Sequence, residues 1–86
     1  MLDTLTTHTL ACAYALAVAD TKRRREALGA AYTAWSQASE VHYFIERSSP
    51  QWDAMMLATA EEYRQLRNAQ GREYRAKEKL LRFVKG

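Results

Sequence analysis

One proline, one cysteine and three glycines are spread over 86 residues, and each scarcity excludes something. Cys12 is alone, so no disulfide can staple the fold within one chain. It sits in an alanine-rich apolar run, where it reads as a small core residue, and a lone thiol fits a reduced, cytoplasmic setting. No glycine-rich stretch is available to cradle phosphate. No apolar run approaches the ~20 residues that span a bilayer. The longest, Leu10 to Ala19 (L-A-C-A-Y-A-L-A-V-A), has the length of a signal-peptide core, and Ala17-Val18-Ala19 has the look of a cleavage site. The segment before it, however, carries Asp3 and neither Lys nor Arg, the reverse of what export requires, so the run is read as structure, with no membrane role.

What the chain has in quantity is helix-compatible sequence. From Leu10 to Arg47 there is no proline and only Gly29 as glycine. Leu28, Ala31, Tyr32, Trp35, Ala38, Ser39, His42 and Ile45 step by three and four, and Leu10, Tyr14 and Ala17 extend the same register upstream. This predicts one long helix over roughly residues 4–47. Its weak point is the wholly polar stretch of residues 20–26, whose alternative reading is a connector between two helices. Ser48-Ser49-Pro50 is the clearest break in the chain. Proline disfavours helix in the residue before it and suits the first helical position. Ser49 then makes a natural N-cap, its hydroxyl accepting from a backbone N–H near Trp52, and Asp53 complements the helix dipole. A second helix is expected over roughly residues 50–84, with Trp52, Met56, Thr59, Tyr63 and Leu66 on one stripe.

These two helices make a single all-α domain over residues 1–86, a long antiparallel helical hairpin. A reversal at about residue 49 places residues 20–26 opposite roughly 72–78, polar belt on polar belt, with Trp35 level with Tyr63. It leaves residues 1–12 as an overhang. Both shoulders of the turn are apolar on several sides: Val41, Tyr43, Phe44 and Ile45 before it, and Trp52, Met55, Met56 and Leu57 after it. One partner helix covers one stripe only. The surplus is either the filled tip of a larger bundle or an anchor for another protein. In both cases a lone hairpin is incomplete, and dimerisation into a four-helix bundle is the expected remedy.

No chemistry-bearing constellation stands out. His8 and Cys12, and His42 and Glu46, sit at i, i+4, but helical metal sites need three or four ligands, so no metal or cofactor is expected. A helical hairpin this small offers little concave pocket, and no enzyme is expected. Charge is polarised instead. The chain carries a net +3, residues 61–86 hold eight basic against four acidic residues, and residues 27–60 hold one against three. Lys22, Arg23, Arg24 and Arg25 form a compact basic run, which the fold-back brings beside Arg72, Arg75 and Lys79. That band is either a solvated face or a surface for phosphates or an acidic partner. Tyr74 is the only aromatic within it, which gives stacking on single-stranded bases little support. The expectation is a non-enzymatic helical interaction protein, a regulator, inhibitor or adaptor, that captures a protein partner through Tyr43, Phe44, Trp52, Met55, Met56 and Leu57. Nucleic-acid binding by the basic band is the alternative, and a structural assembly subunit the third. In outline the chain is similar to small helical regulators and phage-encoded inhibitors, a likeness of fold alone.

Overall fold

The computed structural model describes residues 3–41 and 45–86, and every regular element among them is an α-helix. Three follow in order: α1 (Thr4–Ala38), α2 (Pro50–Ala58) and α3 (Ala60–Lys85). α1 packs antiparallel against α3, giving a rod of 59 × 20 × 18 Å. α1 opens on Asp3, whose carboxylate accepts from the Leu5 N–H at 3.1 Å. A side-chain oxygen at that position satisfies one of the donors every helix start leaves free. The helix then continues through the polar stretch without a break, so residues 20–26 are not a connector.

α1 stops at Ala38, well short of the expected residue 47. The stop is a Schellman closure: the Val41 N–H donates to the Ser36 carbonyl at 2.9 Å, and the Glu40 N–H to the Gln37 carbonyl at 3.3 Å. Trp35 and Val41 line one groove, which supplies the apolar contact that accompanies such a closure. The position that closes it normally belongs to glycine, yet Glu40 holds it with φ of 58°. An L side chain there is strained by roughly 1 kcal/mol or more. Glu40→Gly is therefore expected to stabilise the chain by about 0.5–1 kcal/mol, read as a rise in the urea midpoint at unchanged slope. Ser48, with φ of 67°, is strained in the same way inside a turn closed by the Ser49 N–H on the Glu46 carbonyl at 3.2 Å.

α2 begins where the sequence places it. Pro50 takes the first helical position, the Ser49 hydroxyl accepts from the Trp52 N–H at 3.1 Å, and Asp53 lies in the first turn. The expected single helix over residues 50–84 is broken at Thr59, where φ is −110° and ψ 17°. The Thr59 hydroxyl donates to the Met55 carbonyl at 2.8 Å, and its own N–H donates to the same carbonyl at 3.0 Å. Back-bonding of this kind bends helices. The ladder resumes at once, the Tyr63 N–H donating to the Thr59 carbonyl.

The register differs from the expected one. Arg72 reaches Asp20 at 2.9 Å, and Arg24 reaches Gln65 at 2.8 Å. Asp20 thus faces Arg72, where a reversal at residue 49 would have set it opposite Glu78. The reversal is centred earlier because α1 already ends at Ala38 while α2 begins only at Pro50. At 1.5 Å per residue α1 is matched in length by α2 and α3 together, so the end of α3 comes level, to within about a turn, with the start of α1. The overhang expected for residues 1–12 is absent in the described part, and Trp35 shares its groove with Pro50, Gln51 and Ala54 rather than meeting Tyr63.

The core is thin. Among the described residues Leu28, Met55, Leu66 and Ala69 are the buried apolar ones, joined by Thr21 and Thr59. Each threonine satisfies its hydroxyl on a carbonyl one turn back, Ala17 for Thr21 and Met55 for Thr59, which frees the methyl to pack. Of the alanines in the Leu10–Ala19 run, Ala11, Ala13, Ala15 and Ala19 lie on the surface and only Ala17 turns inward. Leu16, at 72 % exposure, also points away from α3.

Candidate functional site

Two regions carry the candidate residues, one at each end of the rod's chemistry. At the tip, Tyr43 and Phe44, with His42, lie outside the described residues. Met55 is buried and belongs to the hairpin's own core. Trp52 and Met56 are half-buried. The Arg47 guanidinium lies 5.7 Å from the centre of the Trp52 ring, a cation–π distance that covers part of the indole. Leu57 stands apart: at 80 % it is the most exposed large apolar side chain among the described residues. It projects from the last turn of α2, just before the break at Thr59.

The basic band divides into two parts. Arg23, Arg24 and Arg72 converge on Asp20, with nitrogen-to-oxygen distances of 2.7, 3.6 and 2.9 Å. Arg24 also donates to Gln65, while its Nε is buried without a hydrogen-bond partner. Arg72 and, through Gln65, Arg24 bridge α1 and α3, whereas Arg23 pairs with Asp20 along α1 and stays exposed. Lys22, Arg25, Arg75 and Lys79 enter no ion pair among the described residues. Arg75 and Lys79 join Tyr74, Glu78 and Arg82 in a shallow groove of about 530 Å³ along α3. By helical phase these five residues lie on the side of α3 turned away from α1. The Arg75 guanidinium folds back over Gly71, where an added Cβ would meet its Nη1 at 3.2 Å. The hairpin brings Arg23 and Arg24 to Arg72 around Asp20, while Arg25 takes no part in that cluster. It does not bring them beside Arg75 and Lys79, which look outward from the other helix.

Asp20 was the residue the sequence concealed. It sits at the edge of a polar stretch and reads as solvated, yet its side chain is only 20 % exposed and ties α1 to α3. The signal was local: an acid three and four residues ahead of Arg23 and Arg24. Its pKa is lowered from the ordinary 3.8, first by the hydrogen bond from Arg23 and then by that from Arg72. Glu61 is lowered likewise, by Arg64 and then Gln65. Asp3 is lowered mainly by the Thr6 hydroxyl. A carboxylate whose folded pKa is depressed contributes stability that is complete above its unfolded pKa and is lost as pH falls through the folded value. The hairpin is therefore expected to lose stability as pH falls from about 4, and Asp20→Asn should flatten that slope. Denaturant midpoints measured from neutral to acid pH check this, and added salt should weaken the effect because the cluster is partly solvated.

His8 and Cys12 approach on the exposed face of α1, with Nε2 and Sγ 3.5 Å apart. Cys12 is thus a surface thiol and not the core residue the sequence suggested. Among the described residues no group of three or more His, Cys, Asp or Glu side chains could hold a metal ion. No described helix is long and apolar enough to cross a membrane. No protein-family model, curated protein or solved structure matches this chain.

Proposed function

We propose that this hairpin is a non-enzymatic interaction protein that self-associates and captures a protein partner at its tip. The observation that carries the reading is Leu57, 80 % exposed on the shoulder of the turn beside the half-buried Trp52 and Met56. Large apolar side chains grouped at one end of a rod are what a protein interface uses as its anchor. Met55, being core, positions this shoulder and is not itself an anchor. Affinity capture with the full chain, compared with a Leu57→Glu variant, tests the proposal. Leu57 touches little of its own hairpin, so the variant should keep its helix content and melting temperature while losing the captured protein. Equal capture by both chains would overturn it.

A second reading rests on a separate observation, the outward groove lined by Arg75, Lys79 and Arg82 with Tyr74 at its edge. There the chain would bind phosphates of a nucleic acid. Binding should then fall steeply with salt, and Arg75→Glu with Lys79→Glu should abolish it, whereas Arg23→Glu should act by weakening the hairpin itself.

A further inference from the structure

Charge is distributed unequally around the rod. The Asp20–Arg72 and Arg24–Gln65 bridges lie to one side of the α1–α3 seam, where Asp20 neutralises the arginines it meets. At ~100° per residue, the opposite flank receives Lys22 and Arg25 from α1 and Arg67, Lys77 and Lys85 from α3. The acids of the two helices fall elsewhere. Asp20 and Glu61 lie on the bridged side, Glu62 and Glu73 are half-buried towards the seam, and Glu26 and Glu78 lie on the outer ridges. All five cations of the flank are exposed, and none enters an ion pair among the described residues. The register of the bridges brings Arg25 and Arg67 level to within a turn, with Lys22 one turn back along α1. Two rings share the flank with them. Tyr63 is 40 % exposed and Tyr74 65 %. They lie within about 20° of one another in helical phase and about 16 Å apart along α3, with Arg67 between them.

We propose that single-stranded nucleic acid lies along this flank, its phosphates on Lys22, Arg25, Arg67, Lys77 and Lys85 and its bases on the faces of Tyr63 and Tyr74. The site rests on the phosphate reading of the groove it borders at Tyr74, extends that groove onto a second helix and commits it to one strand form. Charge selects the class of ligand. Five unpaired cations on a flank without a carboxylate attract a polyanion, and release of the counterions held by its phosphates favours the contact. The rings select the strand form. An acidic protein or a duplex backbone would need the cations alone. A single strand alternates charge with flat base faces, each of which can stack on an aromatic ring. Duplex bases are stacked on one another and offer no face to Tyr63 or Tyr74. From Tyr63 to Lys85 the flank runs about 33 Å along α3, a continuous track for an extended strand. Leu57 lies beyond Tyr63, towards the turn, so capture at the tip and binding of a strand use different surfaces.

Fluorescence anisotropy of a fluorescein-labelled oligothymidylate with the full chain tests this, against a labelled duplex of equal nucleotide count. The strand should bind more tightly than the duplex. Its affinity should fall with salt at a log–log slope of about −3.5, near −0.7 for each of five phosphates. Lys22→Glu combined with Arg25→Glu and Arg67→Glu should weaken binding about 100-fold or more. The melting temperature of that variant should hold, since none of the three side chains is paired within the hairpin. Tyr74→Leu should weaken binding about 10-fold and Tyr74→Phe leave it unchanged, because a phenyl ring stacks on a base and an isobutyl group does not. Equal or tighter binding of the duplex would overturn the proposal, as would full affinity in Tyr74→Leu. Loss of binding in Arg75→Glu with Lys79→Glu but not in the flank triple would also overturn it, while leaving the phosphate reading of the groove intact. Failure of both nucleic acids to bind at low salt would sink the two readings together and leave the cations to an acidic protein.

Discussion

Leu66→Ala is expected to lower the stability of the hairpin by about 3 kcal/mol, the middle of the range for truncating a buried leucine where the surroundings relax only in part. Leu66 is 7 % exposed, and with Leu28, Met55 and Ala69 it makes up the buried apolar core. Small domains have only about 5–15 kcal/mol in total, and one with so few buried side chains belongs at the low end. The loss should therefore appear as a fall of many degrees in the circular-dichroism melt, or as an unfolded fraction at room temperature. Leu57→Ala is the matched control, since the same atoms are removed from a site that is 80 % exposed. It should change stability by no more than about 0.5 kcal/mol, as surface substitutions generally do. Similar losses for the two would mean that the α1–α3 seam is not what holds the chain together.

The second large effect is expected at Ala69, which is 1 % exposed. The register fixed by Asp20–Arg72 and Arg24–Gln65 brings Ala69 level with Thr21, which is also buried. Two small side chains across one contact let the helix axes approach closely. Ala69→Leu adds three carbons where neither backbone has room, and overpacking of this kind costs roughly 1–3 kcal/mol or more. Here it should do further damage. Forcing the helices apart pulls Arg72 and Gln65 away from Asp20 and Arg24, whose bonds span 2.9 and 2.8 Å. The Asp20 carboxyl should then titrate nearer its ordinary 3.8, which carbon-detected NMR can follow directly. A stability loss with no change in that titration would mean that the seam relaxes elsewhere and that the ionic cluster does not depend on the Thr21–Ala69 contact.

What could be read from the sequence was what depends on neighbours along the chain. Ser49, Pro50 and Asp53 form a helix start from side-chain and backbone chemistry alone, and the start is where they place it. The inward stripe of Leu10, Tyr14, Ala17, Leu28, Tyr32 and Trp35 followed from spacing, and these residues are buried or half-buried. The end of α1 was hidden because Ser39 and Ile45 continue the three-four spacing past the real stop and because Glu40, not glycine, occupies the left-handed position. That one displaced stop shifted the reversal and hence every pairing across the seam. Thr21 and Thr59 were hidden for another reason. Threonine counts as polar in any pattern of hydrophobicity, and only the carbonyl one turn back reveals that its hydroxyl is satisfied and its methyl is free to pack. At the tip, spacing could not separate Met55, which faces inward, from Leu57, which faces out, because the whole shoulder is apolar.

The equal lengths of the two arms have a mechanical consequence. Thr4 and Lys85 lie at the same pole of a rod 59 Å long, with the turn at the far pole. A pull applied between those two points loads one rung of the seam at a time, so the arms peel apart from the base toward the bend. Arms dragged along their length in opposite directions would instead share the load over all rungs together. Under tension between its helix ends this molecule should open at low force and in sequence, with the Asp20–Arg72 rung giving way before the buried stretch from Leu28 to Leu66.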